Sequence, residues 1–160
     1  QYERNSDGTY VKASEEATGT SAFLKTGRVW FTEEKLQAIK DLPIWFVQSA
    51  DDPVVVPANY LLPTYQALVQ AGAENTWVSY FETVEGTDSP GTTYMGHFSW
   101  IYLFNNQVTG VQDKAAIAAS TDAEIFGFEP SNATGGGTAA ATVGETTYTN
   151  IFEWLNAQSR

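Results

Sequence analysis

The 160-residue chain contains no cysteine, one histidine and one methionine. The absence of cysteine excludes disulfides and thiolate chemistry, and a single histidine cannot supply the ligands of an ordinary zinc site. No apolar run approaches the roughly 18 residues that a membrane-spanning helix requires. We therefore expect a soluble protein with no metal centre and no membrane partner.

Basic residues are also scarce, since eight lysines and arginines stand against nineteen aspartates and glutamates, for a net charge of −11. Such a surface repels a phosphate backbone, so a nucleic-acid partner is not expected. The chain has neither a Gly-x-Gly-x-x-Gly motif nor a P-loop. Because these motifs hold nucleotide phosphates, no bound cofactor is predicted.

Hydrophobic residues make up 42% of the chain and aromatic residues 14%, which favours one domain with a packed core. Residues 1–30 are polar, and Asp7-Gly8 favours a tight turn, so we predict an N-terminal extension or hairpin. Residues 107–146 are weakly patterned and contain Gly135-Gly136-Gly137. This composition predicts a loop insertion outside the core.

The middle of the chain predicts a strand, a helix and a second strand. Residues 44–47 are continuously apolar, as in a strand buried on both faces of a parallel sheet, and residues 77–81 form a similar strand. Residues 59–71 carry apolar side chains at helical spacing. Helices are also predicted after Thr32, over 99–104 and over 150–158, where Asn150 is the expected cap.

The predicted fold class is therefore α/β, with parallel strands flanked by helices. Two strands are too few, because a sheet usually has about four to six. We expect residues 1–160 to form a single partial domain that is incomplete without an N-terminal portion. The only methionine is Met95, so Gln1 is not a translation start, which fits this expectation.

Asp52 follows the first strand, and His97, in Gly96-His97-Phe98, follows the second strand. The carboxyl ends of parallel strands meet at one edge of a sheet, so both loops should lie on the same side. A histidine base needs a carboxylate that holds its tautomer. The plainer alternative is that Asp51 or Asp52 caps the next helix and that His97 is a core residue. The Asp-Pro-Val-Val context favours Asp52 over Asp51.

The order of acid and then histidine is the second half of a Ser…Asp…His triad. No Gly-x-Ser-x-Gly sequence occurs in the chain. The serines near the motifs lack the flanking glycines of a nucleophile elbow; they are Ser49, Ser79, Ser89 and Ser99. We therefore expect the nucleophile to lie outside this chain.

Three segments together resemble α/β-hydrolases, and most closely bacterial secreted esterases and peptidases related to the prolyl oligopeptidase family. The segment Leu42–Val55 is similar to their acid-bearing strand and loop, Tyr94–Trp100 to their histidine segment, and Phe152–Arg160 to their last helix. By this resemblance, Asp52 is the triad acid and His97 the base. The fold implied is the C-terminal part of an α/β-hydrolase.

The leading functional hypothesis is a serine hydrolase that cleaves small-molecule carboxylic esters. Its partner would be the N-terminal portion of the same hydrolase, which carries the serine, and the chain alone would be inactive. The resemblance also implies a secreted or cell-surface bacterial protein. Two alternatives stay open: a peptidase of the prolyl oligopeptidase type, and a non-catalytic binding module with a hydrolase-like half-fold.

Overall fold

A computed structural model describes residues 2–4, 10–12, 33–86, 91–131 and 134–158. These residues form helices and four two-stranded sheets, so the fold is mixed α/β. The strands are β1 (Tyr2–Arg4), β2 (Tyr10–Lys12), β3 (Ile44–Ser49), β4 (Thr76–Phe81), β5 (Val84–Glu85), β6 (Thr93–Tyr94), β7 (Ala141–Val143) and β8 (Thr146–Tyr148). The α-helices are α1 (Glu33–Ile39), α2 (Leu61–Gln70), α3 (Trp100–Phe104), α4 (Lys114–Ala119) and α5 (Ile151–Ala157).

Strands β3 and β4 form a parallel pair, in a register that runs from Ile44 opposite Thr76 to Ser49 opposite Phe81. The prediction of two parallel strands joined by a helix is confirmed. Helix α2 connects them, preceded by a 3₁₀ turn at Pro57–Asn59. It ends just before Gly72, whose φ of 90° is the left-handed conformation that closes a helix.

The two faces of this strand pair are covered by separate cores. Val78 and Tyr80 pack on one face with residues of α2, while Trp77 and Phe81 pack on the other with residues of α3 and α5. Successive side chains of a strand point to opposite faces, so both faces of β4 are apolar. All six residues of β4 are buried, whereas the first four of β3 are only partly buried.

Residues 107–146 differ from the predicted loop insertion, because their described part packs into the body of the protein. Ile117 and Ile125 are fully buried in the first core, and Val108 and Val111 in the second. The backbone N–H of Gln112 donates to Val78 O, and the Tyr80 N–H donates to Gly136 O. The segment thus covers the outer edge of β4.

The three consecutive glycines explain this difference. A Cβ on Gly136, which has a φ of 87°, would lie 2.5 Å from Ser79 Cβ, and one on Gly137 would lie 2.1 Å from Val111 O. The glycines therefore permit a close backbone approach to β4 and to Val111. In sequence alone the same residues indicated a loop.

The two ends of the chain agree with the sequence in outline. Strands β1 and β2 pair antiparallel, as a hairpin requires, although the Asp7-Gly8 turn and the Thr32 cap lie outside the described residues. Asn150 caps α5 by accepting hydrogen bonds from the N–H groups of Phe152 and Glu153. None of the described helices has the length and apolar character to span a bilayer.

Candidate active site

The turn after β3, residues 51–55, is called the acid turn here because it carries Asp51 and Asp52. Several hydrogen bonds hold one of its carboxylates in place. Asp52 is only 6% exposed, and its Oδ1 accepts hydrogen bonds from the backbone N–H groups of Val54 and Val55, both at 2.9 Å. Gln48 Nε2 donates to Asp52 Oδ2 at 3.3 Å and also to the carbonyl oxygen of Val55. The carboxylate is therefore held by both backbone and side-chain donors.

His97 lies in a 3₁₀ turn, Gly96–Phe98, directly before α3. Its Nδ1 is 3.3 Å from Asp52 Oδ2. Among the described residues, His97 forms no other hydrogen bond, and its side chain is 38% exposed. The second ring nitrogen, Nε2, is thus left for another group.

Gly96 allows this approach. A Cβ at position 96 would lie 2.1 Å from Asp51 Oδ1 and 2.6 Å from the backbone nitrogen of Asp52. Real Cβ atoms do not come so close to other atoms, so any side chain would push the His97 turn away from the acid turn. Glycine therefore sets the distance between Asp52 and His97.

The hydrogen bonds of Asp52 also set its charge. Burial acts to raise the pKa of this carboxyl, but the hydrogen bonds from Val55, Val54, His97 and Gln48 outweigh burial and hold the pKa below its ordinary value. Asp52 is therefore ionised at neutral pH and can only accept hydrogen bonds. The Nδ1–H group of His97 is then the donor, and in the neutral ring the lone pair lies on Nε2.

Asp51, the neighbouring acid, does not reach His97. Its side chain is exposed, and its Oδ1 accepts a hydrogen bond from Ser49 Oγ at 2.5 Å. Of the two aspartates that the sequence offered, Asp52 is the one beside the histidine.

The described serine candidates are buried and already hydrogen-bonded. Ser49 and Ser79 are fully buried, and Ser79 Oγ donates to Gly110 O at 2.5 Å. Ser99 is 7% exposed, and its Oγ lies 3.5 Å from Val47 O. None of these three hydroxyls is bonded to His97, and Ser89 lies outside the described residues.

Exposed apolar side chains lie on the segments that carry the pair and on α3. Met95 and Val54 are exposed on the segments that carry His97 and Asp52. On α3, Trp100 is 49% exposed and Phe104 is 74% exposed. The ring of Trp100 contacts both Phe98 and Phe104 edge to face, with centroids 5.8 and 5.9 Å apart. An aromatic ridge of Phe98, Trp100 and Phe104 thus begins next to His97.

Within the described part of the chain, no group of three or more acidic or histidine side chains is arranged to hold a metal ion. An open cavity of about 460 Å³ lies beyond the end of β4, lined among others by Glu85, Tyr102 and Gln107. Neither Asp52 nor His97 lines this cavity. Comparison with protein-family models, curated proteins and solved structures gave no match to this chain.

The two aspartates and the histidine are evident in the sequence, whereas two residues that position them, Gln48 and Gly96, are not. Nothing in the sequence indicates a role for Gln48, because glutamine is common near the ends of strands. Gly96 directly precedes the histidine, and a glycine next to a candidate base is a usable signal of close backbone approach.

Proposed function

We propose that this chain supplies the acid and the base of a serine hydrolase that cleaves carboxylic esters. The hydrogen bond between His97 Nδ1 and Asp52 Oδ2 carries the proposal, because it pairs an ionised carboxylate with a histidine whose Nε2 is available. The proposed fold of the complete protein is the α/β-hydrolase fold, with the nucleophilic serine on a portion outside these 160 residues.

In the proposed reaction, the serine O–H attacks the acyl carbon of the ester while His97 Nε2 takes the proton. Asp52 holds the ring orientation and stabilises the imidazolium that forms. His97 then returns the proton to the leaving alkoxide, which departs as an alcohol and leaves an acyl-serine. Water, deprotonated by His97, attacks this acyl-serine and releases the acid and the free serine.

The burial of Ser49, Ser79 and Ser99 supports placing the nucleophile elsewhere. A nucleophile must lie within hydrogen-bond reach of its base, and these hydroxyls are bonded to Asp51 and to backbone carbonyls instead. Ser89 lies outside the described residues, so covalent labelling decides whether it is the nucleophile.

The test uses the complete protein, formed by this chain with the polypeptide encoded upstream of Gln1. We expect it to hydrolyse p-nitrophenyl esters, and His97→Ala and Asp52→Asn to lower kcat by about 10³- to 10⁴-fold. Asp51→Asn is the matched control and should retain activity. A fluorophosphonate probe should label a serine outside this chain, so a labelled Ser89 would overturn the assignment.

The same assay separates the alternatives. Faster cleavage of peptide anilides than of esters would indicate a peptidase of the prolyl oligopeptidase type. Unchanged ester cleavage in the His97→Ala variant, or no cleavage and no labelling at all, would reject the hydrolase and leave a binding module.

A further inference from the structure

The cavity beyond the end of β4 has no part in the proposed reaction, since neither Asp52 nor His97 lines it. It is called the β4 cavity here. Its walls come from three parts of the chain, which are residues 81–86, residues 102–109 and residues 134–135. Its volume of about 460 Å³ lies within the range of sites that bind small molecules, roughly 300–1,000 Å³.

Two aromatic rings form the floor of the β4 cavity. Phe81 and Tyr102 are 1% and 8% exposed, and their rings stack with centroids 4.2 Å apart. Glu85, Asn106 and Thr109, which also line the cavity, are exposed. Because the buried residues lie deeper than the exposed ones, the cavity has an aromatic floor and a polar rim.

Hydrogen bonds between the walls hold the β4 cavity open. The Tyr102 hydroxyl accepts from the Glu85 N–H at 2.7 Å and donates to Thr83 O at 3.1 Å. On the other side, the Thr109 N–H donates to Gly135 O at 3.2 Å. Distant parts of the chain are therefore joined around the cavity, so a ligand would meet a preformed site and lose little free energy in ordering it.

The polar side chains that line the cavity carry hydroxyl and amide groups and one carboxylate; they are Thr83, Glu85, Asn106, Gln107, Thr109 and Thr134. Hydroxyl and amide groups both donate and accept hydrogen bonds. Gln107 Oε1 is buried and has no hydrogen-bond partner among the described residues. A buried acceptor without a donor costs free energy, so a ligand that donates to Gln107 would recover this cost.

The charges and rings of the cavity exclude other kinds of ligand. Of the described residues that line it, Glu85 is the only charged one, and the net charge of the chain is −11, so an anion would be repelled. A cation needs open aromatic faces, but the rings of Phe81 and Tyr102 stack on each other. An apolar ligand would displace water from the polar rim without replacing its hydrogen bonds. A neutral ligand rich in hydroxyl groups fits best.

We propose that the β4 cavity binds a neutral mono- or disaccharide, whose hydroxyl groups pair with the hydroxyl, amide and carboxylate groups of the wall. This inference goes beyond the proposed function and does not depend on it. The chain would then carry a carbohydrate-binding site that is separate from the pair of Asp52 and His97.

NMR titration of the 160-residue chain, repeated on the complete protein, tests the proposal. The probes are the methyl glycosides of glucose, galactose, mannose and xylose, and the disaccharides maltose, cellobiose and xylobiose. We expect at least one to bind with a Kd of about 0.1–10 mM and to shift the amide signals of Thr83, Thr109 and Gly135. Binding by none of the probes, or shifts at Asp52 and His97 instead, would overturn the proposal.

Gln107→Met removes the unpaired acceptor, and Gln37→Met, at an exposed site on α1 outside the cavity, is its matched control. We expect Gln107→Met to weaken saccharide binding by about five- to tenfold, since one hydrogen bond is lost. Its free energy of unfolding should not fall, because Gln107 Oε1 has no partner among the described residues. Equal affinity of the two variants for the saccharide would contradict the proposal.

Glu85→Gln distinguishes a saccharide from a cation, with tetramethylammonium as the second probe. Glutamine keeps an acceptor but loses the charge, so the saccharide should bind this variant within about threefold of wild type. Tetramethylammonium that bound more tightly than every saccharide, and was lost in Glu85→Gln, would identify a cation site and overturn the proposal.

Ester cleavage is a separate measurement from saccharide binding. Gln107→Met should leave kcat for esters unchanged in the complete protein. Saccharide binding without ester cleavage would keep the cavity site and reject the hydrolase. Ester cleavage without saccharide binding would keep the hydrolase and overturn the cavity site.

Discussion

Gly96 lies directly against the backbone of Asp52, so that a methyl group at position 96 would be 2.6 Å from the Asp52 nitrogen. The turn that carries His97 and the turn that carries the acid therefore touch through their main chains. A contact of this kind transmits any displacement of one turn to the other.

Gly96→Ala is expected to separate His97 from Asp52. Overpacking of a tight contact costs roughly 1–3 kcal/mol, so the free energy of unfolding should fall by that amount, and kcat for esters should fall with it. Chemical denaturation and ester kinetics measure the two effects. Gly127→Ala is the control, because a Cβ there meets nothing within 4 Å. An unchanged kcat in Gly96→Ala would show that catalysis does not need the close contact between Gly96 and the Asp52 backbone.

Asp52 should make the protein sensitive to acid. Its folded-state pKa lies below the ordinary value of 3.8, so its ionised form stabilises the native state above that value. This stabilisation is lost as the pH falls from about 5 through the lowered pKa. The difference in unfolding free energy between wild type and Asp52→Asn should therefore shrink towards low pH. Asp51→Asn controls for the loss of one negative charge, and parallel pH curves for wild type and Asp52→Asn would contradict the prediction.

Gln48 is expected to act as a positioning residue for Asp52. Gln48→Met keeps the volume but removes the donor to Asp52 Oδ2 and to the Val55 carbonyl. We expect kcat in the complete protein to fall by about tenfold, with KM unchanged, because a hydrogen bond to a charged group contributes about 1.5 kcal/mol.

Gln66→Met is the matched control for Gln48→Met. Gln66 is also a buried glutamine, but its Nε2 donates to Ser120 O and Oγ rather than to Asp52. Its variant should lose stability and keep kcat. If both variants lowered kcat equally, the effect of Gln48 would be one of stability alone.

Gln112 should be the most sensitive polar residue of the segment 107–146. Its fully buried side chain donates to Tyr80 O and Gly136 O and accepts from Ser131. Gln112→Ala leaves these groups unpaired and opens a cavity, so we expect a loss of about 2–4 kcal/mol in chemical denaturation. Gln37→Ala, at an exposed site on α1, should change stability by less than about 0.5 kcal/mol. If Gln112→Ala also lowered the free energy of unfolding by less than about 0.5 kcal/mol, water would have to replace the hydrogen bonds of the lost side chain.

The sequence predicted the elements whose signals are local. The apolar run of β3 and the helical spacing of α2 are each encoded within a few residues, and the rules for parallel strands then bring Asp52 and His97 to one side. The structure has these elements and this proximity.

Other features depended on contacts between distant residues. Gly136 packs on Ser79, and Gln112 bonds to Tyr80, so no short window could indicate that this segment belongs to the core. On α5 the structure buries Ile151 and Trp154 and leaves Phe152 and Leu155 exposed. The Trp154 indole donates to Asn75 Oδ1 and its ring packs on Trp45, and both partners are distant in sequence.

The three glycines at 135–137, of which Gly136 packs against β4, affect how many further strands this strand pair can accept. Gln112 donates to the carbonyls of Val78 and Tyr80, and Gly136 accepts from the Tyr80 N–H, so these two residues cover the outer edge of β4. Of this strand pair, the outer edge of β3 is the one without a backbone partner among the described residues. A strand pair with one covered edge and one open edge can accept one further strand, but it cannot extend a sheet in both directions. The glycines that indicated a loop in the sequence thus limit this strand pair to one further strand.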